Sequence, residues 1–107
     1  MKIYGIKSCD TMKKAFTWLN NNSIEYLFFD YKKKILLEDK FNYWLEKLPL
    51  EQIVNKQGTT YKKLTDEQKV AIQNPATAFD IIKVNTSAIK RPLIEINDQV
   101  IVGFNET

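Results

Sequence analysis

Apolar residues change their spacing several times along the chain, and each change marks an element. "KIYGI" at residues 2–6 is short, apolar and strand-like. From Met12 the period becomes helical: Met12, Ala15, Phe16 and Leu19 recur at i, i+3, i+4 and i+7. "NNNS" at 20–23 stops this helix, since Asn and Ser favour caps and turns. "IEYLFFDY" at 24–31 is rich in aromatic residues and predicts a second strand. The polar connection "KKKILLED" leads into a second helix with Phe41, Trp44, Leu45 and Leu48 on one face, ended by Pro49. Residues 50–74 read as short helices around "NKQGTTYKKL", where Gly58 supplies a turn. "TDEQKVAIQ" opens on a Thr65–Asp66 cap with acids in its first turn. "NPATAFDIIKV" predicts another helix with Asn74 as N-cap and Pro75 in the first helical position. "RPLIEI" and "QVIVGF" are then two strands joined as a hairpin through Asn97–Asp98. The order is β-α-β, a helical middle, then β-β. It predicts an α/β two-layer domain with a small mixed sheet.

Composition narrows this picture. At 107 residues the length suits one domain, and 44% hydrophobic residues suffice for a core, which argues against disorder. No apolar run approaches the roughly 20 residues that a bilayer span requires. Gly5 and Lys7 interrupt the opening apolar stretch, so a signal peptide is not expected and a cytoplasmic protein is. A net charge of +3 is too mild to argue for direct nucleic-acid binding, and no membrane partner is expected. Of the basic residues only Arg91 is arginine; the others are lysines. Arg presents a planar fork of donors that Lys lacks, so a sole Arg in a lysine-rich chain is a candidate for a specific role.

The chemistry begins with "SCDTMKK", residues 8–14, which holds the single cysteine. One thiol cannot form an internal disulfide, and without histidine a Cys/His zinc site is not expected. Cys9 lies at the end of the first strand-to-helix connection, just before helical periodicity begins. Two readings compete. A lone Cys is often a small buried hydrophobe. A Cys at a helix N-terminus beside Lys13 and Lys14 is instead placed where the thiolate, the nucleophilic form, is favoured, with Asp10 opposing. The flanking Lys7 and Ser8 are not core-like and favour the second reading, with a partly exposed thiol. Met12 stands where a C-x-x-C motif would carry its second Cys, so any redox cycle uses one protein thiol. Its resolving thiol must come from a small molecule such as glutathione or from another protein.

"YGIKSCDTMKKA", "GTTYKKL", "IKRPLIE" and "VGF", in this order, resemble the thioredoxin-fold family of arsenate reductases (ArsC) and Spx regulators, and within it the small YffB-like branch. The resemblance covers nearly the whole chain. It implies a thioredoxin-like βαβ–ββ core with a helical insertion at roughly residues 33–85, within a single domain spanning 1–107. It also implies Cys9 as nucleophile, Arg91 facing it, and Pro92 in a cis peptide beside the thiol. Ser8, Thr11, Lys13, Lys56, Arg91 and Pro92 are then the residues expected around a bound substrate or glutathione. Arsenate reductases of this family use three arginines. Here Asn55 or Lys56 falls near the second position and Phe104 near the third, so classical arsenate reduction is not expected. Relatives usually continue past "VGF" into a further helix, which is expected to be missing here.

The expected function is a glutathione-linked monothiol reductase. It has no bound cofactor, glutathione or another small thiol as co-substrate, and a glutaredoxin-like protein as a possible partner. The alternative is a non-enzymatic regulator of Spx type that binds RNA polymerase; a third reading is a stable fold with no activity left. "TTYKK" at 59–63 is as readily a solvated loop as a basic ligand patch. "YKKKI" at 31–35 reads as a solvated charge run, Trp44 as core and Trp18 as partly exposed.

Overall fold

The computed structural model describes residues 1–103. Among them the chain divides into two compact units, Met1–Lys34 with the segment from Arg91 onward, and Ile35–Lys90.

The first unit is a four-stranded sheet. β1 (Lys2–Gly5) leads through a short connection to α1 (Asp10–Asn21), and the chain returns as β2 (Leu27–Asp30). After the second unit come β3 (Leu93–Ile96) and β4 (Gln99–Val102). The strand order is β2-β1-β3-β4, with β1 parallel to β2 and antiparallel to β3, and β3 antiparallel to β4. The expected mixed sheet is present. β2 is shorter than the aromatic run because its partner begins only at Lys2, which pairs with Leu27. Residues before Leu27 have no β1 to pair with; Ile24 and Tyr26 pack on the α1 side instead. The β3–β4 turn places Asn97 and Asp98 at φ 47° and 62°, the left-handed pair of a tight hairpin that Asn and Asp accept more readily than other non-Gly residues.

Alternation gives the sheet two faces. Ile3, Ile94 and the α1 residues Met12, Ala15 and Leu19 form one buried cluster, with Phe16 and Phe28 against it. This is the helical stripe read from the sequence. β1 and α1 approach closely at Gly5: a Cβ there would lie 2.5 Å from Met12 Sδ, so any larger residue has to displace the Met12 thioether. The other face carries Tyr4, Phe29 and Tyr31, whose rings lie 5.2–6.5 Å apart.

The second unit is helical: α2 (Glu38–Lys47), α3 (Leu50–Ile53), α4 (Thr59–Lys62), α5 (Asp66–Ala71), α6 (Ala78–Ile82) and a 3-10 turn at Thr86–Ala88. Phe41 and Trp44 are fully buried, and Phe41 meets Phe79 at 5.7 Å between ring centroids. Thr65 closes a full capping box with Gln68 at the start of α5. One expected helix start is displaced. Asn74 does not cap a helix beginning at Pro75; its side-chain oxygen accepts from Ala76 N at 3.0 Å in a local turn, and α6 starts at Ala78 behind Thr77. This unit ends later than the expected insertion. Asn55 N donates to Ala88 O at 2.7 Å and Lys90 N to Ile53 O at 2.8 Å, which ties residues 88–90 to the end of α3. None of the described helices is long and apolar enough to cross a membrane.

Candidate active site

The sheet topology brings three segments to one edge. β1 and β2 are parallel, so their C-terminal ends lie on the same side. The β1 end feeds the connection that carries Cys9. β3 is antiparallel to β1, so its N-terminal end, preceded by Arg91–Pro92, falls on that side too. Tyr31 directly follows β2 and its N–H donates to Gly5 O at 2.9 Å. Gly103 N donates to Pro92 O at 2.8 Å, which holds the end of β4 against the start of β3. In open α/β sheets the carboxyl ends of the parallel strands are where ligands bind.

Cys9 is the N-cap of α1. Its backbone is extended, at φ −87° and ψ 133°, its carbonyl accepts from Lys13 N at 3.0 Å, and its side chain makes no capping hydrogen bond. The thiol is half-buried: part of it packs against the Ile3–Met12–Ala15 cluster and part reaches solvent. The position of the sulfur has a feature of each reading. The sulfur belongs to the margin of the core, and it also stands at the open N-terminal end of a 12-residue helix. The first N–H groups of any helix lack partners within it and carry the positive end of its dipole, which favours an anion at this position. Met12, one turn on, is fully buried and fills the space over Gly5. Its selection is explained by packing.

Around Cys9, Ser8 and Lys13 are exposed, and Thr11 is half-buried in the first turn of α1. Arg91 is half-buried and Pro92 buried, and the peptide bond between them is cis, as the family resemblance implies. Lys56 belongs to the second unit. There its ammonium donates to Gln73 Oε1 at 3.4 Å, and Gln73 Nε2 reaches Tyr61 Oη at 3.4 Å and Lys69 O at 2.8 Å. Asn55, the other residue near the family's second arginine position, spends its side chain on its own loop, accepting from Gln57 N at 3.1 Å. Phe104 lies outside the described residues.

Local pattern does not single out Tyr31, which in the sequence is the tail of an aromatic strand and the start of a charge run, of which Lys32–Ile35 are exposed. Tyr31 is only 8% exposed, and its hydroxyl is buried with no hydrogen-bond partner among the described residues. Burial raises its pKa well above the usual phenol value; Tyr4 and Glu95 push the same way and the Arg91 charge opposes them. Tyr4 Oη donates to Glu95 Oε1 at 3.0 Å on the same sheet face. The available signal was the alternation Phe29–Tyr31 at a strand end, which sets a polar-tipped ring on the aromatic face.

Comparison with known proteins agrees with this architecture. Residues 4–107 match the model of the ArsC family. A solved structure of a YFFB protein is similar at 38% identity with a TM-score of 0.90, over 97% of this chain and 90% of that one. An arsenate reductase (ArsC) related protein from Brucella melitensis is 40% identical with a TM-score of 0.79, over 98% and 87% of the two chains. The global transcriptional regulator Spx of Staphylococcus aureus is 28% identical over 92% of this chain and 76% of its own length.

Proposed function

The chain belongs to the ArsC family, and on that premise we propose that it is a monothiol reductase that works with glutathione or a similar small thiol. The observation that carries this reading is Cys9 itself: a half-exposed N-cap thiol, free of any capping bond, at the strand-end edge that also receives Arg91. The chemistry is thiol–disulfide exchange in two steps. The Cys9 thiolate attacks the glutathionyl sulfur of a mixed disulfide, RS–SG. The S–S bond breaks, Cys9–SG forms, and RS⁻ leaves and takes a proton from water. A glutathione thiolate then attacks Cys9–SG, releasing oxidised glutathione and restoring the Cys9 thiolate. The net change is reduction of RS–SG to RSH at the expense of one GSH. The N-terminus of α1 and Arg91 stabilise the sulfur anion, while Ser8, Thr11, Lys13 and Pro92 line the substrate. The protein works in the cytoplasm, and a glutaredoxin-like protein is its alternative source of the second thiol.

Arsenate is a poor substrate in this reading. A tetrahedral oxyanion is best held by several charge-assisted donors of Arg geometry, and the chain has only Arg91. Steady-state assays of glutathione-linked disulfide reduction and of arsenate reduction, on wild type and Cys9→Ala, test the proposal. Disulfide turnover that disappears in Cys9→Ala, with feeble arsenate turnover, is expected. Robust arsenate turnover by the wild type, or disulfide turnover that survives Cys9→Ala, contradicts it. The similarity to Spx favours one competing reading, a regulator that binds RNA polymerase without catalysis. That role tolerates Cys9→Ala in a polymerase-binding assay, whereas the reductase does not tolerate it in turnover.

A further inference from the structure

We propose that β4 is a self-association edge: two copies of this chain pair their β4 strands antiparallel about a two-fold axis at Ile101, which joins two four-stranded sheets into one continuous sheet. The inference is independent of the thiol chemistry.

The first observation is the phase of the β3–β4 ladder. β4 is an outer strand in the order β2-β1-β3-β4, so one side of its backbone meets no strand of the described sheet. Gly103 N donates to Pro92 O at 2.8 Å, and the pairs Ile94–Ile101 and Ile96–Gln99 fall at alternate positions in the same register. Antiparallel pairs alternate between bonded and non-bonded, so Gln99, Ile101 and Gly103 turn their peptide groups toward β3. Val100 and Val102, opposite Glu95 and Leu93, turn their N–H and C=O groups outward. Outward groups of this kind are a template for another strand.

The second is the contrast between the two edges. β2, the other outer strand, ends at Asp30 and is followed by Lys32, Lys33 and Lys34, with Glu25 just before it. Charges at an edge, Lys above all, keep strands from pairing there. β4 reads Gln-Val-Ile-Val, with no charge and no proline. Within it Ile101 is 47% exposed and continues an apolar groove shared with Ile94, Ile96 and Trp18.

The third selects a second copy as the partner. With the axis at Ile101, Val100 of one copy faces Val102 of the other. Their outward groups then satisfy one another in reciprocal N–H···O=C bonds. Facing residues lie an even number of positions apart, so both copies keep the α1 layer on the same side of the sheet. Ile101 meets its own counterpart in a non-bonded pair, where side chains approach closest. The neutral strand sets no like charges opposite each other. Length, phase and charge thus all match in β4 itself. A ladder this short belongs at the low end of interface sizes, below about 1,200 Å², so the association is weak and reversible. The axis turns one copy end for end, which leaves the two Cys9 positions at opposite ends of the joined sheet, and pairing needs no thiol.

The test is sedimentation velocity of the full chain from micromolar to millimolar concentration, with amide exchange followed by NMR on the wild type. Reversible dimerisation is expected, with exchange at Val100 and Val102 slowing as concentration rises. Ile101→Lys and Ile101→Glu each set like charges face to face at the axis. Each alone is expected to stay monomeric, and their equimolar mixture to associate again, because opposite charges then meet. Val102→Pro removes an outward N–H without touching the bonds to β3 and is expected to weaken association about tenfold or more. Cys9→Ala is expected to associate as wild type does. Circular dichroism checks the fold of each variant. A wild type that is monomeric at millimolar concentration, or whose Val100 and Val102 amides exchange at one rate throughout, overturns the proposal. Association that persists in Ile101→Lys and Val102→Pro, that disappears in Cys9→Ala, or that the mixture of charged variants fails to restore overturns it equally.

Discussion

Two side chains at the strand-end edge differ in how their chemistry can be probed. Arg91 supplies both charge and a planar fork. Arg91→Lys keeps the first and loses the second, so the rate of glutathionylation at Cys9 should fall several-fold without vanishing, and Arg91→Ala should lower it further. Equal rates in all three proteins, followed by mass spectrometry, would remove Arg91 from the site. Tyr31 makes a prediction about alkaline stability. Its folded-state pKa is raised well above the unfolded phenol value, chiefly by burial. The folded protein then holds this proton where the unfolded chain releases it. The associated stability is complete below pH of about 10 and declines as pH rises from there toward the folded pKa. Urea midpoints at pH 8 and at pH of about 10.5 should therefore fall further in wild type than in Tyr31→Phe. An equal fall in both shows that other groups govern the alkaline loss. This tyrosine was not legible in the sequence. Its position on the aromatic face follows from alternation, but an unbonded buried hydroxyl depends on which chain segments cover it, and no local pattern records that. Cys9 was legible, because the switch from strand to helical period locates the N-cap within a residue or two.

At the scale of elements, contacts between neighbours in sequence were easier to read than contacts between elements. Thr65 heads α5, its hydroxyl accepting from Gln68 N at 3.1 Å while Gln68 Oε1 accepts from Thr65 N at 2.9 Å. Thr65→Ala removes this box and should cost about 0.5–2 kcal/mol in chemical denaturation. No measurable change would mean that packing of Leu64 and Ile72 holds α5 without its cap. The same reasoning misplaced α6. Asn74 before Pro75 has the composition of a helix start, yet its side chain satisfies Ala76 N and its carbonyl accepts from Thr77 N and Ala78 N, completing a turn first. An Asx turn and a helix cap use the same oxygen, so residue type alone does not separate them. The contact of β1 with α1 gives a further prediction. Gly5→Ala would set its methyl 2.5 Å from Met12 Sδ. Met12 is fully buried and cannot swing into solvent, so the substitution should cost about 1–3 kcal/mol. A neutral Gly5→Ala, measured by the same denaturation, would show that the β1–α1 contact yields freely.

Across the whole molecule, the β-α-β then β-β order was enough to indicate the sheet, because two short strands ending in a left-handed Asn–Asp turn leave little choice but a hairpin. The strand order β2-β1-β3-β4 and the family match then make Cys9 and Arg91 neighbours in topology although they lie far apart in sequence. The limits of the helical unit were less legible, since a one-residue bridge between Val54 and Ile89 leaves no trace in local patterning. Function at this scale turns on whether the thiol at the head of α1 is a nucleophile or a small core residue. Incubating the fully reduced protein with oxidised glutathione, then mapping the product by intact mass and peptide mass spectrometry, separates the two. A reductase of the proposed kind acquires one glutathionyl group on Cys9 faster than free cysteine does at the same pH, and loses it again when glutathione is added. A protein that stays unmodified, or whose Cys9 reacts no faster than free cysteine, is a stable fold without the proposed activity.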